Sequence, residues 1–233
     1  MKVPRIIHQI WSDLYQPLPP FMELLSETWK EMHPNWEYIL WNERMMRDFV
    51  KEEYKNLYQM FLDLPYDMQR WDIFRFLILN KIGGVHIDTD YECIVNIEPL
   101  IKKDDFSIAL EPESHCKKYN IECILNSALM ASIPNHFFLR KVIEKVFSKD
   151  TFNRDRKHKA IYILNTTGPF MLSYLYEELT SVEKGKINLL PAKYVTPFDL
   201  EQIKQIKAGI ENEELEACLE EAYAVHYFTS LWI

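Results

Sequence analysis

Apolar residues fall along this chain in two alternating rhythms. RIIHQIW, residues 5 to 11, is a short β-rich run that ends in a Ser-Asp pair and the prolines at 17, 19 and 20, which predicts a first strand opening into a loop. Phe21, Leu24, Leu25, Thr28, Trp29 and Met32 then recur at helical spacing until His33-Pro34 stops them, and WEYILW, residues 36 to 41, predicts a second strand. From Asn42, a suitable N-cap, to about Leu62 the pattern is that of a polar helix carrying Met45, Met46, Phe49 and Tyr54. YDMQRWDIFRFLILNKIGG follows Pro65 with a broad apolar helical face and Gly83 as its C-terminal cap, and a strand Val85 to Ile87 starts at once. Further strands are predicted around Phe106–Leu110, Cys123–Met130 and Ile187–Leu190. Helices are predicted around His136–Phe147, Pro169–Leu179 and Leu200–Ala208. This alternation predicts an α/β layer with a mostly parallel sheet. No repeat or linker divides the chain, so the expectation is one domain over residues 1–233, with a helical insertion at about 42–80.

Composition narrows the function classes. With 233 residues, 48% of them hydrophobic, the chain can bury a full core. A net charge of −8 argues against a nucleic-acid partner, which needs clustered Lys and Arg. Cys93, Cys116, Cys123 and Cys218 form no CxxC pair and are read as reduced thiols. The apolar run of MKVPRIIHQIW is too short for a signal peptide, and no stretch approaches the roughly 20 apolar residues of a spanning helix. The expectation is a cytoplasmic protein with at most peripheral contact at an inner membrane face. RDRKHK, residues 154 to 159, is read as a solvated loop.

The chemistry concentrates in GGVHIDTDYE, residues 83 to 92. On a strand, Asp88 and Asp90 would share one side while Thr89 faces away. Two converging carboxylates repel unless a cation lies between them, and hard ions such as Mg²⁺ and Mn²⁺ favour oxygen ligands and bind a diphosphate as well. Among 35 acidic residues an Asp-x-Asp alone is a weak signal. Its place after an apolar strand strengthens it, because open α/β sheets bind ligands beyond the carboxyl ends of their strands.

These residues carry a family resemblance. A helix with Asp72-x-x-Arg75, a Gly-Gly, a short apolar strand and Asp-x-Asp resembles the sugar-binding segment of the DXD-containing nucleotide-sugar glycosyltransferases of family 32. That group includes initiating mannosyltransferases, capsular polysaccharide transferases and, more distantly, the clostridial glucosylating toxins. PRIIHQIW, Trp29, HPNWEY and LWNE are similar to its opening elements. CILNSALMASIPNHFF, Thr167-Gly168-Pro169 and the terminal HYFTSLW are similar to its later ones, so the resemblance spans nearly the whole chain. It implies a GT-A fold, a Rossmann-like α/β sandwich with additional helices. It also implies Mn²⁺ or Mg²⁺ as cofactor and transfer of a hexose, with retention of configuration, from a UDP- or GDP-linked sugar. The acceptor would be a saccharide or a lipid-linked oligosaccharide, in bacterial surface polysaccharide synthesis.

By the same resemblance Asp90 would ligate the metal, Asp88 would contact the ribose or, through water, the metal, and His226 would complete the metal shell or the diphosphate clamp. Asp72, Arg75 and Gly84 would bind the donor sugar, Trp11 would stack on the nucleobase, and Ser230 and Trp232 would close over the leaving group. Asn126 is a candidate at the reacting centre. His8 and Gln9 are candidates for donor contact, although strand alternation sends one of them toward the core. His86, Trp71 and Leu231 depart from the family pattern, and the first two bear on the shape of the sugar pocket. Two other readings compete: a haloacid-dehalogenase-like Mg²⁺ phosphohydrolase, whose Asp-x-Asp normally opens the chain, and a non-catalytic sugar-binding module of transferase fold.

Overall fold

RIIHQIW forms β1 (Ile6–Ile10) and WEYILW forms β2 (Glu37–Trp41) in a computed structural model that describes residues 2–152 and 157–229. With β3 (Gly84–Ile87), β5 (Phe106–Leu110), β6 (Leu125–Ser132) and β7 (Asn188–Leu190) they make a six-stranded sheet ordered β2-β1-β3-β6-β5-β7. A separate two-stranded sheet pairs β4 (Tyr91–Cys93) with β8 (Ala224–His226). In the large sheet β1 is parallel to β2 and β3, and β5 is parallel to β7. Only β6 is reversed, antiparallel to both β3 and β5. The mostly parallel sheet predicted from the alternating pattern is therefore present, with one strand inverted at its centre.

Strand alternation sorts side chains to two cores. Ile7, Val85, Ile87, Leu129 and Ala131 pack on one side with Trp29, while Ile108 and Met130 face the helix Asp67–Lys81 on the other. That helix is apolar nearly all round: Ile73, Phe74, Phe76, Leu77, Ile78 and Leu79 are fully buried, as expected of a helix enclosed by protein. Any charge on it enters the interior and must find a partner there.

Local chemistry moves three boundaries. The polar helix predicted from Asn42 to Leu62 is two helices, Glu43–Glu53 and Tyr58–Leu62. Asn42 caps the first through Met45 N–H. The break comes at Tyr54, whose hydroxyl turns inward to donate to Leu77 O and accept from Asn80 Nδ2. The strand predicted from Cys123 begins at Leu125. Asp88, Thr89 and Asp90 do not continue β3: they form a turn closed by Tyr91 N–H to Asp88 O at 3.2 Å, so a turn rather than a pleat presents the two acids.

Gly84 and His8 explain each other. Gly84 has φ +101°, and a Cβ there would lie 2.7 Å from Ile6 O and 3.0 Å from His8 Nε2. His8 is fully buried, donates Nε2–H to Gly83 O at 2.9 Å and accepts Trp41 Nε1–H at Nδ1. Both residues join β1 to β3 from the helix side of the sheet. Gly84→Ala is expected to destabilise the fold by about 2–4 kcal/mol through left-handed strain plus overpacking, read from urea unfolding. Burial pushes His8 down to about 4, with Gly83 O opposing. The unfolded chain therefore takes up a proton below pH 6.5 that the folded chain refuses down to about 4. His8's contribution is intact above pH 6.5 and is lost as pH falls through that window, by about 3 kcal/mol in all. Melting curves between pH 7 and 4.5 should show a steeper acid loss for the native chain than for His8→Gln.

Candidate active site

The C-terminal ends of β1, β3 and β5 open on a cavity of about 520 Å³. Because β6 is reversed, it is that strand's beginning, Asn126 and Ser127, that reaches the same edge. Trp11 and Ser12 after β1, Asp88 to Asp90 after β3, and Asp72 and Arg75 from the Asp67–Lys81 helix also line it, with His226 from β8.

Arg75 stands between two acids. Its Nη2 lies 3.0 Å from Asp72 Oδ1, and its Nη1 lies 3.2 Å from Asp88 Oδ1. Nη1 also donates to Ser127 O and Oγ, each at 3.2 Å. Asp72 and Arg75 side chains are each 4% exposed, so theirs is an interior pair and not a surface one. Thr167 Oγ1–H fills Asp72 Oδ2 at 2.8 Å. Burial pushes the Asp72 carboxyl up to about 6, against the pull of Arg75 and Thr167. For Asp88 burial also pushes upward, but Arg75 and then His86 prevail and hold the carboxyl well below the usual range. His86 donates Nε2–H to Asp88 Oδ1 at 3.0 Å. The backbone of Asp88 is fixed as well, by its N–H to Ala128 O and by Gln9 Nε2–H to its carbonyl.

Asp90 belongs to the other end of the chain. Thr229 N–H and Oγ1–H donate to its Oδ2 at 2.8 and 2.9 Å, His226 Nε2 faces its Oδ1 at 3.2 Å, and Tyr227 N–H reaches its carbonyl. Tyr227 O–H also donates to Glu92 Oε2 at 2.6 Å. The His226 ring stacks on Tyr91 at 4.4 Å and touches Phe228. Asn126 Oδ1 accepts Ala128 N–H, so its Nδ2 faces His226 Nδ1 as a donor, which leaves the ring proton on Nε2, toward Asp90. Burial lowers His226 but Asp90 outweighs it and raises its pKa; burial raises Asp90 but His226 outweighs it and lowers it.

This donor set suits a hard divalent cation. Ligand atoms of Asp88, Asp90 and His226 lie within 4.8 Å of one another, and both carboxylates are held ionised. A cation taking His226 Nε2 would replace the proton now between that ring and Asp90.

The predicted residues divide by place. Asp72, Arg75, Asp88, Asp90, Asn126 and His226 meet at the cavity, and Trp11 lines it, half-exposed, with its indole N–H fixed on Gln16 O. His8 and Gly84 do not line it: alternation turns His8 to the Trp41 side, and Gly84 is pinned against Ile6 and His8, so neither is a donor contact. Gln9 is buried beneath Asp88, held by Tyr38 O–H at 2.5 Å, and supports the turn instead of lining the cavity. Ser230 and Trp232 lie outside the described residues, as do residues 154–156 of the basic run. Sequence alone assigns no role to Thr167, Ser127, Glu111 or Thr229. Glu111 carried a usable signal, an acid directly after the apolar strand FSIAL, in the manner of VHI before Asp88.

Residues 20–107 match the family model described as "Glycosyltransferase sugar-binding region containing DXD motif". The matched stretch contains the Asp67–Lys81 helix and the turn that carries Asp88 and Asp90. Inositol phosphoceramide mannosyltransferase 1 of Schizosaccharomyces pombe is 28% identical over 195 residues, covering 82% of this chain and 56% of that protein. Mannosyl phosphorylinositol ceramide synthase CSH1 of Saccharomyces cerevisiae is 28% identical over 197 residues, covering 82% and 48%. The chain thus spans about half the length of these relatives. Among solved structures, the UDP-bound glycosyltransferase domain from the YGT toxin superposes with a TM-score of 0.56 at 10% identity, covering 94% of this chain and 89% of that one. PaToxG glycosyltransferase gives 0.55 at 13%, covering 95% and 89%. The chain has the GT-A fold implied by the motifs.

Asp72→Ala is expected to destabilise the fold by about 3 kcal/mol, because Arg75 loses one of its two carboxylates inside the protein. Thr167→Val, which removes one neutral hydroxyl donor to that carboxylate, should cost about 1 kcal/mol in the same unfolding experiment.

Proposed function

We propose that this protein is a metal-dependent glycosyltransferase. It moves a hexose, with retention of configuration, from a UDP- or GDP-linked sugar to a saccharide or lipid-linked acceptor, in the assembly of a surface polysaccharide or glycolipid. The observation that carries the reading is the convergence of Asp72, Arg75, Asp88, Asp90 and His226 on one cavity inside a DXD region. The names of the yeast relatives favour a mannosyl donor and a lipid acceptor. We place the protein in the cytoplasm with peripheral contact at the inner membrane face, where a lipid-linked acceptor presents its headgroup.

Each group has a task in that reaction. Asp72 accepts hydrogen bonds from donor-sugar hydroxyls, and Arg75 supplies Nε–H, a buried donor that meets no acceptor among the described residues. Trp11, its indole N–H already engaged, offers a fixed face to the nucleobase. Asp88, Asp90 and His226 would hold Mn²⁺ or Mg²⁺, which when bound neutralises charge developing on the departing diphosphate. Asn126 sets the His226 ring orientation through Nδ1. Asp88 is engaged by both Arg75 and His86, which disfavours the phosphohydrolase reading, where the first acid must be free to attack.

The test is nucleotide release from a panel of UDP- and GDP-sugars with Mn²⁺ or EDTA. Release from one donor, lost with EDTA and reduced at least about a hundredfold in Asp90→Asn, is the expected outcome. Near-normal turnover by Asp90→Asn would sink the metal assignment, and cleavage of a simple phosphate ester in place of any sugar nucleotide would overturn the transferase reading.

A further inference from the structure

One cavity carboxylate has no part in the donor chemistry above. Glu111 follows β5 directly, and its N–H bonds Ile124 O at 3.0 Å, beside the pairing of Leu110 with Leu125 and Ala109 with Asn126. Asp88 is held to the same strand, β6, from its other side through Ala128 O. Asp88, Asn126 and Glu111 therefore stand in that order along the rim of the sheet, the two acids on opposite sides of β6 and offset along it. That separation leaves room for a second reactant beside the donor.

Glu111 is held for use. His115 accepts Leu200 N–H at Nε2, so its ring proton is on Nδ1, which donates to Glu111 Oε2 at 2.7 Å. The Glu111 side chain is only 11% exposed and lines the cavity. Apolar residues share the cavity with it: Ile124, whose carbonyl its N–H bonds, with Phe170 and Tyr119, the last two packed edge to face at 4.9 Å. Tyr119 and Ile161, also lining residues, are 39% and 45% exposed, so this wall runs out to solvent.

We propose that Glu111, oriented by His115, is the acceptor-binding carboxylate: it accepts the hydrogen bond of the hydroxyl to be glycosylated, while the Tyr119/Ile124/Phe170 wall takes an apolar part of the same molecule. The inference rests on the transferase reading and adds to it the place and chemistry of the second substrate, a polyol headgroup joined to an apolar body.

The experiment is steady-state transfer with the donor found in the panel. The acceptor probes are methyl and octyl glycosides of mannose, glucose and galactose, and inositol phosphoceramide in detergent micelles, each used with wild type, Glu111→Gln and His115→Asn. Glutamine gives its oxygen to His115 and turns an N–H donor toward the hydroxyl, so Glu111→Gln should raise the acceptor KM about tenfold or more. Donor affinity measured by titration should stay within about twofold, and His115→Asn, which only loosens the carboxylate, should show the same split at about threefold. Octyl glycosides or the ceramide lipid should outcompete methyl glycosides in wild type. Equal losses toward donor and acceptor, unchanged acceptor kinetics in Glu111→Gln, or wild-type donor turnover that no probe intercepts would each overturn this assignment and leave the transferase reading standing. Failure of wild type to bind or turn over any sugar nucleotide would overturn both.

Discussion

Arg75 is a cation the interior can hold only because Asp72 and Asp88 face it from two elements. An unpaired guanidinium at that depth would carry a desolvation penalty of several kcal/mol. The pairing joins the core helix to the turn after β3, so the position of the acids is tied to helix–sheet packing. Arg75 pulls both carboxyls toward the ionised form, and burial decides how far each one follows. Asp72, more deeply enclosed and sharing its partner, is pushed toward the protonated form, while Asp88, facing both Arg75 and His86, stays ionised. Two similar carboxylates sharing one cation thereby end with different hydrogen-bonding characters, because burial outweighs Arg75 at Asp72 while His86 joins Arg75 at Asp88.

The second anchor is Asp90, whose carboxylate and carbonyl are taken by residues 226 to 229. The acids of a single turn are thus held from different parts of the chain, Asp88 by the Asp67–Lys81 helix and Asp90 by the β4–β8 pair. The reversed β6 completes the arrangement by bringing Asn126 and Ser127 between them.

Much of this was legible in the sequence. Alternating rhythms marked β1, β2, β3 and β5 and the core helix, and the order of motifs pointed to the fold. What local patterns missed was set by long-range contacts. Tyr54 ends a helix because its hydroxyl is wanted 23 residues away, at Leu77. His8 and Gly84 look like ligand contacts from the motifs they stand in but are used up by each other and by Trp41. Three-residue strands such as β4 and β8 have no periodicity to read, so the tie between Tyr227 and Glu92 was invisible. Thr167 and Thr229 gave no signal because a hydroxyl donor is recognisable only once its acceptor is in place.

The β4–β8 pairing has a consequence for biosynthesis. The bond between Thr229 and Asp90 spans 139 residues. On a ribosome the first three strands and the core helix can meet early, since their contacts are comparatively short in sequence, but the partners of Asp90 among the described residues arrive only when residues 226 to 229 have left the exit tunnel. A nascent chain therefore carries this turn half-assembled until those residues emerge, and Asp90 gains its carboxylate and carbonyl partners together.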